Sequence, residues 1–180
     1  IYDEKDLIAF AQAVKGGNFT LNALQMDNIK LEKEWEPIGT FENPYQGTYN
    51  GNGYTITGLK VSVDAYLHAG LFGYTSGATL VNIHLVEVSV NNTYSSDFYS
   101  PYAGALAGYA SGNTTIALCS STGSVSATNT SGDAYAGGLV GLAAGTHITR
   151  SLNTCNVTAT GRNNAYAGGL TGSTGNNSVI

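Results

Sequence analysis

The sequence predicts an all-β fold, a parallel β-helix with one α-helix capping its N-terminal end. Three observations carry this reading. A glycine-bracketed motif returns four times, as Ala69-Gly-Leu-Phe-Gly73, Ala103-Gly-Ala-Leu-Ala-Gly108, Ala136-Gly-Gly-Leu-Val-Gly141 and Ala167-Gly-Gly-Leu-Thr-Gly172. Its closing glycines, at 73, 108, 141 and 172, are 35, 33 and 31 residues apart, a period at which each repeat buries its apolar face only by stacking on neighbours. Beyond residue 15 the chain shows only short alternating apolar stretches broken by Gly and Asn, the pattern of strands and turns.

Residues 3–15 form the one helix. Asp3 is placed to cap it, Glu4 and Asp6 favour its positive end, and Gly16-Gly17 stop it. Leu7, Ile8, Phe10, Ala11 and Val14 share one face, which would cover the first coil and its strand edges. Phe19–Leu21, Ile29–Leu31, Gly47–Tyr49, Tyr54–Ile56 and Leu59–Val63 read as strands. The corners Asn50–Gly53 and Gly58 supply the positive φ of tight turns.

Each later repeat reads as three strands: Ala103–Gly108, Thr115–Cys119 and Gly123–Ala127 in one, Ala136–Gly141, His147–Ser151 and Cys155–Ala159 in the next. Three strands per ~33 residues describe a triangular coil, with neighbouring coils about 4.8 Å apart. Leu71, Leu106, Leu139 and Leu170 would form one internal ladder. Leu80, Ile116 and Ile148 form a second, and Val125 and Val157 a third, with Val88 or Val90 above them. The glycines around each Leu serve close backbone approach. Gly-Gly-Leu-Val-Gly lacks the Lys and the following helix of a phosphate loop. The chain divides into a capping helix (1–17), first coils (18–68) and repeat coils (69–180), within one structural domain.

The pattern resembles the GLUG-motif repeats of bacterial secreted and surface proteins. The repeat carries the likeness, most faithfully at Ala136–Val157. So does the preceding Trp35-Glu-Pro-Ile-Gly39, Phe41 and Gly47–Leu59. The resemblance implies a right-handed β-helix in an exported protein, an adhesin or the stalk of a larger surface protein. Such repeats also lie beside the catalytic domain of IgA-specific metallopeptidases. That activity does not carry over, because His68, His84 and His147 are isolated and no His-Glu-x-x-His stands in the chain. The sequence departs from the family pattern in the third repeat, where Ser151 and Cys155 stand in place of the Cys119 and Gly123 spacing.

Composition bounds the function. Only 11% of residues are charged and the net charge is −5. No Lys/Arg cluster exists to neutralise phosphates, so nucleic acid is not an expected partner. From Val88 onward Asp97, Asp133, Arg150 and Arg162 are the only charged residues; the other ten acids and five bases precede them. No apolar run reaches the ~20 residues that span a bilayer, so membrane insertion by this segment is not expected. The start at Ile1-Tyr2, without Met or a signal peptide, reads as a mature or excised piece of a longer protein, extracellular or at the cell surface.

Catalysis on a β-helix needs converging acids, with carboxyls about 5–10 Å apart for glycoside hydrolysis. Asp27, Asp64 and Glu87 are the candidates, and each reads first as a corner or solvated residue. The acids are not grouped as metal ligands, and neither metal nor cofactor is expected. Cys119 and Cys155 fall four residues out of register, about 13 Å along a strand, outside disulfide reach; they read as buried free thiols. Six Asn-x-Ser/Thr triplets, at Asn18, Asn91, Asn113, Asn129, Asn156 and Asn176, are expected by chance in so Asn- and Ser/Thr-rich a chain.

The aromatic residues form the candidate ligand-binding set. Tyr102, Tyr135 and Tyr166 each precede an Ala-Gly pair, and Tyr94, Phe98 and Tyr99 lie in a neighbouring loop. The loops 91–101, 126–134 and 158–165 should leave one corner together. The Tyr residues share the parity of the Leu ladder, so they either pack as a structural stack or form a polar–aromatic strip for a host glycan or protein. The function expected is a non-enzymatic surface module, adhesin or rigid spacer; the alternative is a carbohydrate-active β-helix, a polysaccharide lyase or glycosidase. The last coil is incomplete, which predicts exposed strand edges, end-to-end contact or poor order after Gly172, and a chain continuing past Ile180.

Overall fold

The computed structural model describes residues 1–175 and 177–180; Asn176, which heads the sixth triplet, lies outside them. One helix, Glu4–Lys15, is followed by short strands, and every strand pair is parallel. The strands stack into four walls. Thr48–Asn50, Thr79–Val81, Thr115–Ala117 and His147–Thr149 build the first, and His84–Asn92, Ser120–Asn129 and Asn156–Gly161 dominate the second. The third holds His68–Ala69, Tyr102–Gly104, Ala134–Gly137 and Ala165–Gly168; the fourth holds Phe72–Ser76, Ala107–Ser111, Val140–Ala143 and Thr171–Thr174. The result is a β-solenoid of about four turns beneath a reduced first turn.

The predicted triangular coil is corrected to four strand segments. The Leu of each motif and the residue before it are not mid-strand: a two-residue bend, at 105–106 and 138–139 for example, separates the third wall from the fourth. Leu71, Leu106 and Leu139 fill the inside of this bend and are fully buried, while Leu170 is only partly covered. Their backbones are laddered, Leu106 N–H donating to Leu139 O at 2.9 Å and Leu139 N–H to Leu170 O at 2.9 Å. The glycine closing each motif faces the preceding turn. A methyl at Gly108 would lie 2.6 Å from Ala69 N and 2.8 Å from the Cα of His68. No side chain fits between turns there.

The other two ladders stand as expected, through Leu80–Ile116–Ile148 and Val90–Val125–Val157. Val90, not Val88, continues the latter, because the strand shifts register between Ser121 and Gly123 and sets Val88 opposite Gly123. Tyr49 and Val61 extend the two ladders upward.

The helix closes the N-terminal end through its aromatic residue. Asp3 accepts from Asp6 N–H at 2.9 Å, and Leu7, Phe10 and Val14 are buried. The Phe10 ring stands edge-on to Tyr45 and Tyr49, each at 5.7 Å, and Tyr45 stacks on Phe72 at 5.1 Å. Trp35 is buried below, its Nε1–H donating to Leu71 O at 3.0 Å. The first strand is Ala23–Leu24, not Phe19–Leu21. Residues 18–21 are spent on turns, Asn18 N–H donating to Ala13 O and Leu21 N–H to Asn18 O, which leaves Leu21 exposed.

The opposite end is open. Ala165 and Ala167 are exposed where their counterparts Ala134 and Ala136 are buried. The tail does not fray from this edge: Gly175 N–H donates to Ala143 O, and Val179 bridges His147 in parallel register. Ser178 and Val179 thus run beside His147–Thr149, as the start of a further turn.

Candidate functional site

The structure separates the six aromatic candidates into two groups. Tyr102, Tyr135 and Tyr166 belong to one outward-facing ladder that begins at His68. Successive ring centroids are 5.6, 5.1 and 4.6 Å apart with interplanar angles of 11°, 26° and 7°. The parity argument for these residues fails at the bend. Within Tyr102–Gly104 it is Ala103 that points inward, fully buried, while Tyr102 points out and is half-buried. The rings therefore lie neither in the core nor free in solvent.

Stacking decides what this ladder can do. Tyr102 and Tyr135 each have a ring on both faces, so along the ladder only edges and hydroxyls meet solvent. Tyr166, 39% exposed, keeps one face uncovered by any ring of the described residues. Each offset-stacked pair contributes about 0.5–1.5 kcal/mol beyond area burial. Burial and the nearby Asp133 charge push the Tyr135 hydroxyl up to about 12, and burial with other causes raises Tyr102. Both stay neutral donors.

Three further residues join the cluster that sequence reading passed over. Tyr74 and Tyr109, on the fourth wall, stack at 4.7 Å and stand edge-on to His68 at 5.2 and 5.8 Å. The signal was present: each follows a motif-closing glycine, as His68 precedes Ala69 where Tyr102 precedes Ala103.

His68 lies among these rings, and burial lowers its pKa to about 4 while the Glu42 charge pulls weakly the other way. In the unfolded chain it titrates near 6.5. Between those values the unfolded state binds the extra proton, so stability is level above about pH 6.5 and falls as the pH drops towards 4. The loss amounts to up to about 3 kcal/mol. Urea melts of wild type and His68→Phe across this range are expected to differ in slope, the Phe variant losing less on acidification.

Phe98 and Tyr99 form the second group, on the loop between the second and third walls. They are 89% and 61% exposed, and neither stacks on the ladder. Tyr94 is half-buried at the base of the loop, its N–H donating to Asn92 Oδ1 at 3.0 Å.

Asn129 holds this loop. It is fully buried, and its Nδ2 donates to Ser96 O, Tyr99 O and Asp133 O at 3.0–3.2 Å. Its Oδ1 accepts from Ser95 Oγ and from the backbone N–H groups of Ser96, Ser131 and Gly132. One amide thus binds the loops of two turns, and Asp133 Oδ1 accepts from Asn164 N–H and Nδ2 of the next. The loops do leave one corner together. With its amide fully engaged, Asn129 cannot act as a glycosylation acceptor in the folded chain; Asn18, Asn113 and Asn156 are exposed.

The remaining candidates are dispersed. Asp27, Glu87 and Asp64 lie along the second wall, where Ile56 pairs Ile29 and Leu85, and Val61 pairs Val90. Glu87 is four positions beyond the level of Asp27, about 13 Å, and Asp64 is farther still. Among the described residues no three His, Cys, Asp or Glu gather where they could hold a metal. Both cysteines are free; Cys119 is buried, with its thiol pushed up to about 11 by burial, but Cys155, in the last of the described turns, is only half-buried. Cys119 N–H donates to Ser151 Oγ at 3.2 Å, the register predicted.

No family model matches the chain. It is 33% identical over 153 residues to "Halomucin" of Haloquadratum walsbyi, covering 83% of this chain and 2% of that protein. It is 49% identical over 39 residues to a "Putative Gly-rich membrane protein" of Evansella cellulosilytica, covering 22% of this chain and 4% of the relative. The chain therefore spans a few per cent of the length of these relatives. Among solved structures it is similar to a "putative immunoglobulin A1 protease" of Bacteroides ovatus, with a TM-score of 0.69 over 99% of this chain and 62% of the other. At 18% identity that likeness shows the β-solenoid fold alone.

Proposed function

We propose that this chain is a non-enzymatic module of a longer exported protein: a rigid β-solenoid, of GLUG type, whose contacts are made by the Ser95–Tyr99 loop. The observation carrying this reading is that the loop displays two large aromatic rings to solvent while a buried asparagine fixes its backbone from beneath. A backbone already fixed loses little freedom on binding, and aromatic anchors dominate interface energetics. The stacked ladder beneath serves rigidity, since its faces are already used. The great length of the relatives, one of them named a membrane protein, supports an extended exterior assembly in which such a segment spaces and presents.

The partner fitted to this loop is a protein or glycan surface, contacted by the Phe98 ring and the Tyr99 ring and hydroxyl. Asp97 and Asp133 are the only charges nearby in sequence, so binding should vary little with salt. The test is a glycan array and cell-binding assay of wild type and Phe98→Ser/Tyr99→Ser, beside a screen for hydrolase and lyase turnover. The reading expects binding by wild type, its loss in the double variant, and no turnover. Equal binding by both proteins, or turnover of a polysaccharide, would replace it.

A further inference from the structure

A second site lies at the opposite end of the ladder, before His68. The segment 36–42 and the loop 65–67 border a groove of about 300 Å³, half open to solvent and lined among others by Glu36, Phe41, Glu42, Tyr66, Leu67 and His68. Phe41 is 66% and Tyr66 54% exposed. Phe41 is held from behind, edge-on to Tyr74 at 5.5 Å, and Tyr66 stacks on no ring among the described residues. Unlike the ladder, this groove offers aromatic surface that no neighbouring turn consumes.

Its charge is one-sided. The lining includes two carboxylates and neither Lys nor Arg. Glu36 is already answered by Lys15 at 2.6 Å, an ammonium close enough to interact with Tyr66 as well, while Glu42 has no cationic partner among the described residues. His68 stays neutral through the physiological range because burial lowers its pKa to about 4, so it adds no positive charge. The Glu42 carboxylate, exposed at the groove rim, would attract a cationic guest and repel an anion.

We infer that this groove binds a small methylated ammonium compound between the Phe41 and Tyr66 rings, with Glu42 as counter-charge. Aromatic rings attract a cation through their negative faces, more strongly when it is partly desolvated, and a nearby carboxylate adds direct attraction.

Choline and its uncharged isostere 3,3-dimethylbutan-1-ol separate charge from shape. The measurement is an NMR titration of the whole chain with each, following the amides of Phe41, Tyr66 and His68. Choline is expected to saturate these shifts, with the neutral alcohol weaker by about tenfold. Glu42→Gln and Phe41→Leu should each weaken choline by a comparable factor. Both positions are exposed, so folding is not at stake, and Tyr166→Ala at the far end should change nothing. Equal binding of choline and the alcohol, insensitivity to Glu42→Gln, or no saturable shift with choline would each overturn the inference. None of these outcomes depends on the Phe98–Tyr99 loop.

Discussion

Gly137→Ala is expected to prevent the repeat coils from folding, or to destabilise them by more than about 4 kcal/mol, the range reserved for forced backbone displacement. A methyl group there would fall onto the Val140 carbonyl oxygen, 2.6 Å from Gly172 N and 2.7 Å from Thr171 Cα. All three are backbone atoms, so none can swing aside, and the clash reaches across two turns. Circular dichroism melts would check it. A variant melting within a few degrees of wild type would mean that the turns do not stack at this glycine.

Leu139→Ala follows in size. Leu139 is fully buried at the bend between the third and fourth walls, with Leu106 above and Leu170 below. Its truncation should cost about 2–5 kcal/mol, as for other large-to-small core changes. Leu170→Ala should cost less, because Leu170 is partly exposed at the open end and its truncation leaves a smaller cavity. Urea melts giving the reverse order would misplace the core.

These residues show what was legible in the chain. The motif period set the turn length, and like residues at like positions set the ladders, since parallel stacking in register puts each Leu, Ile and Val over its equivalent. The split of Ala103–Gly108 was hidden because a bend of two residues keeps an alternating pattern intact while reversing which side faces inward. That one event also inverted the facing of Tyr102, Tyr135 and Tyr166. Phe19–Leu21 alternates like a strand, but hydrogen bonds after the helix had already committed it to turns. Asn129 read as one Asn-x-Ser/Thr triplet among six. Its role as the pin of two loops depends on carbonyls 30 and 33 residues away in sequence, which no local pattern reveals.

The ladder and the loop were indistinguishable as sequence, both being Tyr-rich stretches beside a turn. The structure gives them opposite physics. In the ladder the rings spend their faces on each other; in the loop they spend them on nothing within the described residues.

One paired measurement tests this division of labour. Tyr102→Ser/Tyr135→Ser and Phe98→Ser/Tyr99→Ser are compared with wild type for melting temperature and for binding to the glycan or cell surface that wild type recognises. The ladder variant should melt lower, losing roughly 1.5–4.5 kcal/mol from its three broken stacks, yet still bind while folded. The loop variant should melt as wild type and fail to bind. A ladder variant that keeps its stability and loses binding would contradict the account and return the stacked tyrosines to the contact surface.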